Sequence, residues 1–147
     1  MEIRRITDAI DEIRIMKVLD DALPIRLFDR DNCDEIVKRM TENAIFFVAF
    51  DDYKEGPLGY IAFYANDHVT NMAYITSICV RESFQGIGVG SKLLETALNE
   101  AKRQGMSTMK LEVLKSNEKA IRFYISKGFR QSSDDLNGSL YMEKCLR

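Results

Sequence analysis

Between Arg81 and Ser91 the chain reads Arg-Glu-Ser-Phe-Gln-Gly-Ile-Gly-Val-Gly-Ser, with glycines at 86, 88 and 90. Glycine tolerates φ > 0 and leaves no side chain between backbone amides and a ligand. Beyond it, Leu93, Leu94, Ala97, Leu98 and Ala101 form an apolar stripe that predicts a helix over 90–104, stopped by Gly105. The first turn of a helix offers unpaired N–H groups and the positive end of its dipole. A glycine run feeding such a turn suits a phosphate or pyrophosphate. The plain alternative is a tight loop whose glycines serve only its own geometry.

Known phosphate motifs narrow the choice. A P-loop ends in Gly-Lys-Ser/Thr, and here the order is Gly90-Ser91-Lys92. A dinucleotide fingerprint requires G-x-G-x-x-G/A directly after a strand. Here Ser91 takes the last place and Arg81 to Gln85 intervene, although Glu112 lies at a plausible distance to hold a ribose. The single histidine, His68, and three scattered cysteines, Cys33, Cys79 and Cys145, give no metal-ligand or disulfide spacing and no nucleophile elbow. No metal is expected.

The positioning elements follow from periodicity. A short strand is predicted at 3–6 and a helix over 8–20 with Ile10, Ile13 and Met16 inward. A loop follows at 21–30. A second helix starts near Asp31 or Asn32, where Asn32 and Glu35 resemble a capping box, and shows Cys33, Ile36, Val37 and Met40 on one face. Strands are predicted at 45–51, 58–64 and 73–80, separated by turns at 51–57 and 65–68. After the helix at 90–104 come a strand at 109–114 and a helix at 118–127. Asn117 caps that helix, Ala120, Ile121, Tyr124 and Ile125 share a face, and Gly128 ends it. Strands near 129–133 and 139–145 close the chain around a turn at 134–138. Residues 73–114 make a βαβ unit, so its two strands should be parallel. The fold class is α/β: a mixed, mostly antiparallel sheet of six or seven strands with about four flanking helices.

Two segments resemble one family. Gln85-Gly86-Ile87-Gly88-Val89-Gly90 is a Q-x-x-G-x-G sequence like the acyl-CoA signature of the GNAT superfamily of N-acetyltransferases, and Thr76–Val80 is similar to the strand before it. Leu111-Glu112-Val113, followed by Asn117, Ala120, Phe123-Tyr124 and Gly128-Phe129, is similar to the second signature. The resemblance covers residues 73–130. It implies acetyl-CoA as cosubstrate, with a pyrophosphate on the amides of Gly86, Gly88, Val89, Gly90 and Ser91, and Gln85 clamping the loop. Main-chain groups of Ile78 and Val80 would pair with the pantetheine where the parallel strands splay, and the N–H of Cys79 or Ile78 would face the oxyanion. Asn117 would contact the cofactor arm as well as cap its helix. Tyr124 would be the general acid; its plain alternative is a core aromatic, a place Phe123 already fills. No carboxylate stands in residues 73–80, which leaves Asp67, His68 or a group upstream to deprotonate the amine. Cys79, in a buried strand, reads as a packing residue rather than a nucleophile.

Length and charge agree with this. The chain has 147 residues, enough for one domain with its own core. Lys plus Arg is 21 against 23 acidic residues, a net charge of −2, which gives no support to nucleic-acid or polybasic membrane binding. Neither an apolar leader nor a membrane-length apolar run is present, so a cytoplasmic location is expected. The expected partner is a small-molecule or protein amine, and a homodimer is compatible with it. The acceptor walls would be residues 21–30, with Arg26, Leu27, Phe28 and Arg30, and 133–139, with Asp134 and Asp135. A CoA-binding module without turnover and a dinucleotide oxidoreductase are the competing readings.

Overall fold

The computed structural model describes residues 1–52, 56–134 and 138–147. The turn expected at 51–57 therefore lies partly, and Asp135 wholly, outside the described residues. One sheet runs through the chain in the order β1-β2-β3-β4-β5-β7-β6. Its strands are β1 (Glu2–Ile6), β2 (Ile45–Phe50), β3 (Pro57–Tyr64), β4 (Met72–Val80), β5 (Thr108–Leu114), β6 (Arg130–Asp134) and β7 (Ser139–Cys145). Every neighbouring pair is antiparallel except β4 and β5, as a βαβ connection requires.

Alternation along the central strands builds two cores. Phe47, Ala49, Ile61 and Phe63 face one side; Phe46, Val48, Tyr60 and Ala62 face the other. The first side is covered by α3 (Val89–Arg103) and α4 (Glu118–Ser126), through Leu93, Leu94, Ala97, Ala101 and Tyr124. The second is covered by α1 (Ala9–Val18) and α2 (Cys33–Asn43), through Ile15, Met16 and Met40. The seven strands and four α-helices among the described residues match the expected class. No helix among the described residues is long and apolar enough to cross a membrane.

Three local expectations need correction. Ile10 is exposed, not inward, because the stripe that meets the sheet runs through Glu12, Ile15, Met16 and Leu19, and Ile10 falls off it. Asn32 stands at the start of α2 but makes no side-chain capping bond. Ile125 is exposed, because α4 turns Tyr124 inward and presents its neighbour to solvent. The loop expected at 21–30 also contains two 3₁₀ turns, Asp20–Ala22 and Leu27–Asp29.

The inward stripe of α1 includes a carboxyl group. Glu12 is 3% exposed, and its Oε1 is the only buried side-chain polar atom without a hydrogen-bond partner among the described residues. Burial, helped by the Asp8 carboxylate, pushes Glu12 from 4.5 up to about 7. Above pH 4.5 the unfolded chain releases this proton while the folded chain keeps it. Stability therefore falls as pH rises, until the folded group also titrates near 7. Glu12→Gln should melt about 3–6 °C above the wild type at pH 8, with the two converging at pH 4. Thermal unfolding at both pH values checks this; a gap that does not change with pH would refute it.

Candidate active site

The site begins where the parallel pair comes apart. β4 and β5 pair only from Met72↔Thr108 to Ile75↔Leu111. Beyond Leu111, β5 continues against β7 alone as far as Leu114. On its other edge β4 stays paired with β3 through Val80↔Gly59. The main-chain edge of residues 76–80 that faced β5 thus opens into a cleft. A bulge lies at the same point: Ala62 pairs with Ser77 and Phe63 with Ile75, so Thr76 is an extra residue on β4. A bulge bends and twists its strand. It also inverts side-chain parity. Before it, Ala73 and Ile75 face the α3–α4 core; after it, Ile78 and Val80 do so while Cys79 turns to the α1–α2 core.

Gly59 lets β3 hold the far end of β4. A Cβ there would lie 2.5 Å from the Cys79 carbonyl oxygen. The Arg81 N–H then donates to the Leu58 carbonyl at 2.7 Å. The chain passes through a 3₁₀ turn at Glu82–Phe84 into the glycine loop.

That loop has the form its sequence predicts. Gly86 and Gly88 have φ of +80° and +94°, and a Cβ on either would project into open space. Gly88 is the N-cap of α3, no side chain caps this end, and the first intrahelical bond runs from Lys92 N–H to the Gly88 carbonyl at 3.0 Å. The amides of Val89, Gly90 and Ser91 are left for an anion. Gly90 is helical; a Cβ on it would meet Val80 Cγ2 at 3.6 Å and Phe123 Cζ at 3.7 Å, so strand end, loop and α4 converge here. Gln85 ties them further. Its Nε2 donates to the Val80 carbonyl at 2.9 Å and its Oε1 accepts from Lys119 Nζ at 3.1 Å. An open amide cradle beside a free strand edge fits the diphosphate and the amide-bearing arm of CoA.

Tyr124 lies 7% exposed in the α3–α4 core, edge-on to Phe123 and Phe129 at 5.4 and 5.6 Å. Burial pushes its phenol up to about 12. Asn117 caps α4 by accepting from the Ala120 N–H at 3.3 Å. On the opposite face of β4 a polar group emerges that sequence reasoning missed. Tyr60, fully buried, shares a 2.8 Å hydrogen bond with Ser77 beside the bulge. Buried Asp20 accepts from the Leu27 and Phe28 N–H groups at 2.8 and 3.2 Å, folding the α1–α2 connection, and the Leu19 carbonyl accepts from the Cys79 thiol at 3.9 Å. Nothing in the run Leu19-Asp20-Asp21-Ala22 tells which aspartate is buried; only the packing does.

The remaining candidates separate. Asp67 accepts from Thr70 and from the Val69 N–H in an exposed turn, and those bonds hold its carboxyl below the usual carboxylate range. It and exposed His68 precede β4, whereas the cleft opens at Thr76, about 13 Å along the strand from Met72. Arg26 is engaged by Asp21 at 3.1 Å and lies within 3.9 Å of Asp20 and Asp29, so its charge is spent inside the loop. Arg30 is exposed, Leu27 buried and Phe28 half-buried.

The family model described as "Acetyltransferase (GNAT) family" matches residues 13–129. The chain belongs to the GNAT acetyltransferase family. The ribosomal protein bS18-alanine N-acetyltransferase of Escherichia coli K12 is 36% identical over 72 residues, which is 49% of this chain and 49% of that one. The match thus spans about half the length of the curated relatives. Among solved structures, the E. coli ribosomal-protein-S18-alanine N-acetyltransferase superimposes with a TM-score of 0.76 at 19% identity, over 99% of this chain and 94% of that one. The PaiA N-acetyltransferase of Thermoplasma acidophilum, in complex with coenzyme A, gives 0.76 at 19% over 99% of both. At such identities the likeness is one of fold.

Cys79 shows how this GNAT site treats its one internal thiol. Burial pushes it up to about 12, and the nearby Asp20 charge adds to that. The thiolate that a covalent route needs is therefore scarce. Titration with an aromatic disulfide at pH 8 should modify exposed Cys145 and half-buried Cys33 in the native protein, and Cys79 only after denaturation. Rapid native labelling of Cys79 would restore it as a nucleophile.

Proposed function

We propose that this chain transfers an acetyl group from acetyl-CoA to a primary amine by direct attack in a ternary complex. The observation that carries this reading is the freed edge of β4 beyond the Thr76 bulge, beside a glycine loop whose helix end no side chain caps. Acetyl-CoA supplies a thioester whose acyl carbon an amine can attack. The amides of Gly86, Gly88, Val89, Gly90 and Ser91 hold its pyrophosphate. Ile78 and Val80 pair with its pantetheine as a further strand would, and Asn117, its Oδ1 spent on the cap, uses Nδ2. A main-chain N–H of Ile78 or Cys79 stabilises the oxyanion.

Tyr124 is the general acid. Its burial keeps the phenol protonated through the physiological range, so it can give its proton to the sulfur as the C–S bond breaks. For the amine's proton, β5 offers Glu112. Leu111 and Val113 turn into the α3–α4 core, so exposed Glu112 projects from the other face, one residue past the last β4–β5 pair. Its backbone thus stands where the two strands begin to part, nearer the cleft than Asp67 and His68. The bS18-alanine N-acetyltransferases among its relatives make an N-terminal alanine amine the first acceptor to try.

Thiol release from acetyl-CoA, with peptides beginning in alanine and with free polyamines and amino acids, tests transfer and acceptor together. Tyr124→Phe should lower kcat about 100-fold while CoA binds as before. Normal turnover by this variant near pH 7 would remove Tyr124 from the mechanism. CoA binding without thiol release for any amine would favour a module without turnover.

A further inference from the structure

We infer that Lys119 is a cationic ligand of the CoA pyrophosphate, presented to the glycine loop by Gln85; this rests on the CoA reading of the loop proposed above. The loop from Gln85 to Ser91 contains no basic side chain, although the group it would hold is dianionic. Basic residues stand on either side. The Arg81 guanidinium donates to the Pro57 carbonyl at 2.9 Å and is half-buried in that duty. Lys92 lines a shallow groove with Phe47, Glu95 and Thr96, on the flank of α3 that meets β2. Lys119, in the first turn of α4, reaches the first residue of the loop instead.

Its partner there is chemically informative. Lys119 Nζ is held by the neutral amide oxygen of Gln85, and among the described residues no carboxylate lies within ion-pair distance of it. A full positive charge thus waits on a weak acceptor. A phosphate oxygen is a stronger one, since its negative charge adds Coulomb attraction to a bond the ammonium already assists. Gln85 is itself fixed by its bond to the Val80 carbonyl, at the mouth of the cleft. The ammonium therefore stands at the first residue of the glycine loop before any ligand arrives. This residue also answers the chain's mild acidity, which by itself would repel an anionic cosubstrate.

Calorimetric titration of the purified protein with CoA and with dephospho-CoA, for wild type, Lys119→Gln and Lys119→Arg, tests the assignment. Lys119→Gln should weaken CoA about tenfold, in line with the loss of one hydrogen bond to a charged group. Lys119→Arg should recover most of that affinity, and dephospho-CoA should weaken by the same factor as CoA. Because Lys119 is exposed, melting temperatures should agree among the three proteins. Unchanged CoA affinity in Lys119→Gln, with wild type binding normally, would overturn the inference alone. A loss confined to CoA and absent for dephospho-CoA would also overturn it, by moving the contact to the 3′-phosphate. Failure of the wild type to bind either compound would instead overturn the CoA reading itself.

Discussion

The open edge of β4 begins at a single extra residue, Thr76. The ladder with β5 ends at Ile75, the residue before it. Beyond it, β4 keeps its hold on β3 while β5 leaves to complete its ladder with β7. An open main-chain edge inside a sheet is costly unless something fills it. The fold accepts that cost at one place, immediately before the glycine loop. The same residue inverts the parity of β4, so that Ile78 and Val80 support the α3–α4 side while Ser77 and Cys79 serve the other. The cleft and the hydroxyl pair both adjoin that one insertion.

The sequence was legible where chemistry is local. Gly86 and Gly88 announce positive φ because little else tolerates it, and the stripe of α3 reads directly from Leu93 to Ala101. The parallel pair follows from a helix between two strands. What the sequence hides is what depends on partners across the sheet. Thr76 sits in a β-branched run that looks continuous, and only the register with Ala62 and Phe63 shows it to be surplus. Ile10 and Ile125 look inward by period, yet the sheet contacts their helices along a stripe rotated from theirs. The Asp20 cap and the Gln85–Lys119 bond join residues 7 to 34 positions apart, beyond any local pattern.

Burial acts on the ionisable groups of the site in one direction with opposed chemical results. It pushes both Tyr124 and Cys79 up to about 12. For the proposed proton donor the phenol stays protonated, as it would at its ordinary value, so its proton remains available, though from a weaker acid. For a group that would have to attack as an anion, burial is a veto. The burial of Cys79 thus argues against an acyl-enzyme route and agrees with the direct transfer proposed above.

The polar groups that are not buried divide the labour in a complementary way. The α1–α2 connection consumes its charges internally, with Asp20 on two backbone amides and Arg26 among three aspartates. The loop is thereby tied into its own network and stays acidic, with one arginine against three aspartates. The cosubstrate side is built the other way, with backbone amides uncapped at α3 and an ammonium resting on a neutral amide. Unspent hydrogen-bonding capacity thus gathers at the glycine loop, where the proposed pyrophosphate would sit, while the α1–α2 connection spends its own on itself.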